Sequence, residues 1–253
     1  MTHASLFSGI GGFDLAAEWV GWNNIFHCEW NPFGQRVLAH HFPNSKSYND
    51  ITKTNFSIHA GEIDVLTGGF PCQPYSSAGK RLGKADERHL FPEMLRAINE
   101  VKPTWVVGEN VLGIVNWGGG VVFNDVQVDL ENQGYEVQAY ILPACGKNAP
   151  HKRERTWFIA YSNSARLHKQ YIPTKSKEKI SHSGIFNEKR NFSSFPTQPP
   201  ICGGDDGIPK ELDSITFSKW RNQSIKGYGN AIVPQVAYEI FKAIQSFDDL
   251  VNV

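Results

Sequence analysis

Residues 3–20 read HASLFSGIGGFDLAAEWV, and this stretch decides the fold. His3–Phe7 is a short apolar run of strand length. Phe13, Ala16, Ala17 and Val20 then recur at helical spacing, predicting a helix over Gly11–Val20. Between them lies Ser8-Gly9-Ile10-Gly11-Gly12. A glycine turn at the carboxyl end of a first strand lets backbone approach a ligand, with the N–H groups of the helix facing it. Taken alone, the turn is equally compatible with a plain strand–helix connection.

Working outward, Asn24–Cys28 is a second strand and Pro32–His41 a second helix with proline in its first turn. Asp64–Thr67 is strand-like and breaks at Gly68-Gly69. Arg88–Val101 is helical, with Leu90, Met94, Leu95 and Ile98 on one face. Thr104–Val107 is a strand, Phe123–Asn132 a helix ended by Gly134, and Glu136–Leu142 and Thr156–Tyr161 strands able to pair. Strands alternating with helices predict an α/β sheet. After Tyr161 the pattern dissolves into Ser, Asn, Lys, Pro and Gly. A structureless loop of that length is improbable inside a compact domain, so residues 162–225 are expected to form a small irregular second lobe. Ala231–Phe247 closes the chain as an amphipathic helix with Ile232, Val236, Ile240 and Ile244 four apart.

The chain has 253 residues, 40% of them hydrophobic and 12% aromatic, which excludes global disorder. Lys+Arg and Asp+Glu are both 25, so a generally cationic nucleic-acid binder is not expected. The charge is nevertheless uneven. Lys147–Arg190 carries eleven Lys and Arg against three Glu, a net +8 that the rest of the chain must balance. That asymmetry suits a polyanion-facing surface as well as it suits a solvated lysine-rich loop. Cys28, Cys72, Cys145 and Cys202 form no CxxC pair, which argues against structural zinc and against a disulfide scaffold. His40-His41 is a helix-end doublet, and no metal site is expected. Trp105–Phe123 imitates a membrane span, but Glu109, Asn110, Asn116 and five glycines fit a buried strand ending in a polar loop. With no secretory leader pattern at its start, the chain is expected to be soluble and intracellular.

Two further segments carry chemistry. The second strand ends in Cys28-Glu29-Trp30, with Glu29 twenty residues past Gly9. An acid there is placed to accept ribose hydroxyls, and Trp30 beside it to stack on adenine, so the pair favours an adenosyl cofactor. The third strand leads into Gly68-Gly69-Phe70-Pro71-Cys72-Gln73-Pro74-Tyr75-Ser76-Ser77. A cysteine flanked by prolines sits on a rigid turn rather than in a core, where free cysteines usually lie. The polar run after it, through Lys80 and Arg81, reads as a basic loop beside a reactive thiol. Cys28, Cys145 and Cys202 are expected to be unreactive packing residues.

FSGIGGF, Cys28-Glu29-Trp30, Asn49-Asp50-Ile51, GGFPCQPYS, Arg88-His89-Leu90-Phe91, Glu109-Asn110-Val111, PHKRER (150–155) and Gly229-Asn230-Ala231 occur in this order. As a set they closely resemble the DNA (cytosine-5)-methyltransferases, over nearly 1–161 and again at 226–247. FPTQPPICGGDDGIP (195–209) is similar to a shorter branch found in bacteria and their phages. The resemblance implies an S-adenosylmethionine-dependent methyltransferase fold: a Rossmann-like, mixed seven-stranded sheet with a small irregular second lobe. It divides the chain into a catalytic and cofactor-binding domain (1–161), a basic target-recognition lobe (162–225) and a C-terminal helix (226–253) that folds back beside the first motif.

The resemblance also implies roles. Cys72 is the nucleophile that adds to carbon 6 of a flipped cytosine, because carbon 5 alone is too poor a nucleophile for methyl transfer. Glu109 hydrogen-bonds or protonates N3, and Arg155 holds O2 with Arg153 beside it. S-adenosylmethionine is surrounded by Phe7, Gly9, Gly11, Phe13, Glu29, Trp30, Asp50, Ile51, Leu90 and Asn230. The loop 73–88 closes over DNA, with Gln73, Ser76, Lys80, Arg81 and Lys84 as DNA contacts. Double-stranded DNA is the implied partner of a cytoplasmic monomer, in a bacterial cell or a phage-infected host, and the resemblance allows a cognate restriction endonuclease. The chain departs from the family pattern at Ser5, where Asp is common, and at His151, where Gln is usual. Residues 162–225 are short for target recognition. The alternatives are a tRNA-directed enzyme, against which Phe70 before Pro71 weighs, and a non-catalytic DNA-binding remnant, which intact Cys72, Glu109 and Arg155 oppose. A thiol hydrolase leaves the glycine turn and Glu29-Trp30 unexplained.

Overall fold

The structure is a computed structural model that describes residues 1–71, 90–147, 152–164, 223–224, 226–227 and 229–251. Among these, one seven-stranded sheet runs in the order β3-β2-β1-β4-β5-β7-β6. The strands are β1 (Thr2–Leu6), β2 (Asn23–Cys28), β3 (Lys46–Tyr48), β4 (Val65–Gly69), β5 (Trp105–Val111), β6 (Tyr135–Pro143) and β7 (Glu154–Ser162). The helices are α1 (Gly12–Val20), α2 (Pro32–His41), α3 (Phe91–Val101), α4 (Val121–Asn132) and α5 (Pro234–Val251). β1 to β5 pair in parallel, while β7 is antiparallel to both β5 and β6. The mixed α/β sheet expected from the sequence is therefore present.

The order of the strands places the site. The chain runs outward from β1 to β2 and β3, then returns to the other side of β1 with β4 and β5. Between β1 and β4 the direction of winding reverses, and ligands of open α/β sheets bind in the crevice beyond the carboxyl ends at such a point. Phe7–Gly11 leave β1 there, and Gly69–Pro71 leave β4 there.

The central strands are apolar on both faces because both faces are covered. On one face Val106, Phe158 and Ala160 pack with α3 and α4 through Met94, Ile98, Val126 and Leu130. On the other, Val65, Val107 and Trp157 pack with α1 and α5 through Phe13, Ala17, Ile240 and Phe241. The spacing of Val236, Ile240 and Ile244 did predict the buried stripe of α5. Phe241 is fully buried and stacks on Trp22 at 4.7 Å and on Phe13 at 6.2 Å. Truncating such a ring costs about 3–5 kcal/mol, which is what docks the C-terminal helix beside the first motif.

Several boundaries differ from expectation. β4 and β5 each extend further, so Gly68-Gly69 and Glu109–Val111 lie within strands rather than after them. α3 begins at Phe91, because Pro92 fits its first turn. The edge strand β3 was not expected: KSY is short and mostly exposed, with no alternation to betray it. Trp105–Phe123 resolves into β5, two short 3-10 turns and the start of α4. No helix among the described residues is long and apolar enough to cross a membrane. Cys28 is buried, with its thiol pushed up to about 12 mainly by burial, as suits an unreactive residue. Cys145, expected to pack, is instead exposed, because in the turn after β6 it is Ala144 that faces inward. The lobe 162–225 falls almost entirely outside the described residues.

Candidate active site

The turn after β1 is built on unusual backbone. Phe7 has φ 52°, a left-handed value that bulky residues rarely adopt, and Gly9 (φ 59°) and Gly11 (φ 86°) follow. A non-glycine residue held there needs surrounding structure to over-determine it, and such positions cluster at functional sites. Ser8 supplies part of that structure: its N–H donates to the Cys28 carbonyl (3.1 Å), and its Oγ accepts the Cys28 N–H (3.1 Å). Beneath it, the Ser5 and Ser8 hydroxyls meet at 2.7 Å, and Ser5 Oγ donates to the Asp14 carboxylate at 3.0 Å. Asp14 is fully buried, and burial raises its carboxyl to about 7. A carboxylate from α1 thus lies against Ser5 on β1.

Glu29 closes the turn from β2. Its Oε2 accepts the Gly9 N–H and its Oε1 the Asn31 N–H, both at 2.7 Å. Burial pushes its carboxyl above the usual range, while these two bonds oppose the shift. α2 approaches so closely that a Cβ on Gly34 would lie 2.5 Å from the Gly9 carbonyl oxygen and 2.9 Å from Glu29 Cγ. Only glycine fits there.

At the other end, β4 leads through Gly69 and Phe70 to Pro71, directly before Cys72. Asn110, 2% exposed, donates from Nδ2 to the Phe70 carbonyl at 3.2 Å and so fixes the start of that turn. Glu109 faces it from β5, with Oε1 3.0 Å from Arg155 Nε on the antiparallel β7. Burial raises the Glu109 carboxyl to about 7, against the pull of Arg155 and then Arg153. A carboxyl so poised holds a proton in a large share of molecules near neutrality and can donate it.

Both ends open into one cavity of about 420 Å³. Of the residues expected at the site, Phe7, Gly9, Glu29, Glu109, Arg155 and Asn230 line it. Trp30 lies just beyond it, 71% exposed, and Asp50 follows β3, where its carboxylate accepts from the Thr52 N–H (3.0 Å) and Thr52 Oγ1 (2.7 Å). Ile51 is buried in the core, and Leu90 caps α3. Gly11 and Phe13 sit behind the turn: Gly11 starts α1, and the Phe13 ring is edge-on to Trp157 in the core at 6.0 Å. Arg153, whose charge also acts on Glu109, reaches the C-terminal segment. Its guanidinium donates to the carbonyls of Gly229 (2.9 Å) and Ala231 (2.7 Å), tying β7 to the returning C-terminal segment. Cys72, Gln73, Ser76, Lys80, Arg81 and Lys84 lie outside the described residues, as does His151. Among the described residues, no group of His, Cys, Asp or Glu could hold a metal ion.

Sequence reasoning missed three supports: Asp14, Asn110 in its role on Phe70, and the grip of Arg153. It also missed Gln223, Lys226 and Gly227, which line the cavity from the C-terminal side. Their only signal was proximity to Gly229-Asn230.

Known proteins bear on this geometry. The model of the C-5 cytosine-specific DNA methylase family matches residues 1–199. The chain is 34% identical to Type II methyltransferase M.HhaI of Haemophilus parahaemolyticus over 66% of its own length and 51% of that protein's. It is 31% identical to M.DdeI of Desulfomicrobium norvegicum over 90% of its own length and 55% of that protein's. It is 39% identical to M.PspPI of Psychrobacter over 61% of its own length and 38% of that protein's. The chain thus spans between 38% and 55% of the length of these relatives. Among solved structures, a prophage-encoded DNA modification methyltransferase of E. coli superposes with a TM-score of 0.56 at 27% identity, over 66% of this chain and 48% of that one. The S. pombe Dnmt2 methyltransferase shares the fold, with a TM-score of 0.53 at 21% identity over 70% of this chain and 58% of that one. With a family model matched across most of its length, this chain belongs to the C-5 cytosine-specific DNA methylases.

Proposed function

We propose that the chain is a DNA (cytosine-5)-methyltransferase that transfers a methyl group from S-adenosylmethionine to carbon 5 of a flipped cytosine through a covalent Cys72 adduct. One observation carries the proposal: a single cavity joins the Gly9–Glu29 turn to the Glu109–Arg155 pair, and Pro71, the residue before Cys72 in the sequence, is part of its lining. The residues present fit the methyl donor. The volume suits a nucleoside-sized ligand, Glu29 offers carboxylate lone pairs to ribose hydroxyls, and the exposed Trp30 ring offers an aromatic face to adenine. S-adenosylmethionine supplies an electrophilic sulfonium methyl to carbon 5.

The chain's own residues do the rest. The Cys72 thiolate adds to carbon 6, pushing electron density to carbon 5. Glu109 donates a proton or hydrogen bond to N3 as charge develops there. Arg155 orients Glu109 through Oε1 and binds O2 of the base. Arg153 holds the C-terminal segment that brings Asn230 to the cavity. Gln73, Ser76, Lys80, Arg81 and Lys84 bind DNA from the loop after Cys72, and residues 162–225 form the target-recognition lobe. The substrate is double-stranded DNA, the site of action the cytoplasm of a bacterial cell or phage-infected host, the working unit a monomer, and a cognate restriction endonuclease is a candidate partner. The relatives are named as Type II methyltransferases, which favours the DNA reading over the tRNA-directed and non-catalytic ones.

Trapping tests the proposal. In DNA substituted throughout with 5-fluorodeoxycytidine, methyl transfer leaves no proton on carbon 5, so Cys72 cannot be expelled. Protein, this DNA and S-adenosylmethionine should give a denaturation-resistant complex, absent with Cys72→Ala. Its absence from protein that binds S-adenosylhomocysteine and DNA would overturn the proposal.

A further inference from the structure

The loop that follows β3 carries Asp50 and Ile51, yet β3 is three residues long and lies at the edge of the sheet. The loop's internal order comes from Asp50, whose backbone carbonyl accepts the N–H groups of Lys53 (3.2 Å) and Thr54 (3.1 Å). Such a turn shapes the loop, and burial of Ile51 and Phe56 anchors it in the core. α3 adds a polar grip on its backbone. The Arg96 guanidinium donates to the carbonyls of Ile51 and Thr54, the latter at 3.1 Å. It is held in place by Glu93 (Nε to Oε2, 2.8 Å) and Glu100 (Nη1 to Oε1, 2.6 Å). The second oxygen of Glu100 accepts the Phe56 N–H at 2.7 Å. One helix thus grips the loop at three backbone points, using the planar, multi-donor geometry that arginine has and lysine lacks. Leu90 caps the start of the same helix.

We propose that Arg96 is a positioning residue for the adenine end of the cofactor: it locks the Asp50-Ile51 shelf to α3, and so to Leu90, without touching the ligand. The proposal rests on the reading that an adenosyl ligand binds beside Glu29 and Trp30 and, as the family resemblance implies, reaches Asp50, Ile51 and Leu90. Loss of the grip lets the shelf move, and weakens binding of anything that carries adenosine. Catalysis at saturating methyl donor is unaffected, because Glu109 and Arg155 lie on β5 and β7 at the other end of the cavity.

Titration calorimetry on the full chain tests this with two probes, S-adenosylhomocysteine and 5′-deoxy-5′-methylthioadenosine. Arg96→Met should raise both dissociation constants by about tenfold or more, the order seen when an outer support of a binding residue is removed. Arg96→Lys, which keeps the charge and can reach one carbonyl, should fall between. KM for S-adenosylmethionine should rise in parallel, with kcat within about twofold of wild type. If Arg96→Met does not fold, Glu93→Gln/Glu100→Gln loosens the same guanidinium and should weaken both probes. Unchanged binding in a folded variant, or a fall in kcat without a rise in KM, refutes the proposal. Failure of the wild type to bind either probe overturns the cofactor reading instead, and this proposal with it.

Discussion

Gly34 offers a sharp test of how the cofactor end is built, because two effects of opposite sign act on one substitution. Gly34 lies inside α2, where Gly→Ala normally stabilises by about 1 kcal/mol. Here the new Cβ would stand 2.5 Å from the Gly9 carbonyl oxygen, about 1 Å inside ordinary contact, and the obstacle is backbone rather than a side-chain tip. Overpacking of that kind costs about 1–3 kcal/mol, so the net change is a loss of about 0–2 kcal/mol where a plain helix site would gain. The effect on binding should be larger. α2 can escape only by pushing the turn, which stretches the 2.7 Å bond from Gly9 N–H to the Glu29 carboxylate. A hydrogen bond to a charged group is worth about 1.5–3 kcal/mol, so affinity for S-adenosylhomocysteine should fall by about tenfold to a hundredfold. Urea unfolding and calorimetry on Gly34→Ala measure both quantities. Gly113→Ala is the control, since its nearest neighbour, Val111, is 3.9 Å away. A Gly34→Ala protein that is more stable than wild type and binds as tightly would refute the reasoning.

Three further outcomes are expected from buried titrating groups. Glu109, raised to about 7, should give kcat/KM a limb that falls as pH rises through about 7, and Glu109→Gln should lose both the limb and about a hundredfold or more in rate. Asp14 is also raised to about 7, so the stability it lends is complete below about pH 4 and is lost as pH rises through 7. At 1.36 kcal/mol per unit this amounts to at most about 4 kcal/mol, and Asp14→Asn should flatten melting temperature against pH over that window. His3 runs the other way. It is fully buried between Asn24 (2.6 Å) and Thr67 (3.0 Å), and burial lowers it to about 4. The unfolded chain takes up its proton near pH 6.5 and the folded one only near 4, so stability falls with pH across that interval by about 3 kcal/mol. Urea unfolding of His3→Gln should lose this part of the acid sensitivity.

What could be read in the sequence was whatever depends on local order. The strand–glycine–helix run at 3–20 and the Val236–Ile240–Ile244 stripe follow from periodicity, and both are present. Glu29 follows from its place at the end of the second strand. Long-range effects escaped. β3 escaped because an exposed edge strand of three residues needs no alternating pattern. β5 was cut short at Val107 because its last turn toward the cavity replaces apolar residues with Glu109 and Asn110. Asp14 is a charged residue off the apolar face of α1, and nothing local shows that Ser5 and Ser8 lie across from it. The family resemblance places Arg153 beside Arg155, and its hold on the C-terminal segment was not legible in the sequence. Alternate residues of a strand face opposite ways only while the strand is regular, and Arg153, at φ 33°, precedes β7. Its grip on Gly229 and Ala231 spans 76 and 78 residues. The position of α5 beside the glycine turn was legible only through the family resemblance.

The most direct test of the central claim is base-resolution bisulfite sequencing of DNA from a methylation-free bacterial host, expressing either the wild-type chain or Cys72→Ala. The account predicts protected cytosines within a short recurring sequence in the first culture and none in the second. Unmethylated DNA in both, with wild-type protein that is folded and binds S-adenosylhomocysteine, would contradict it.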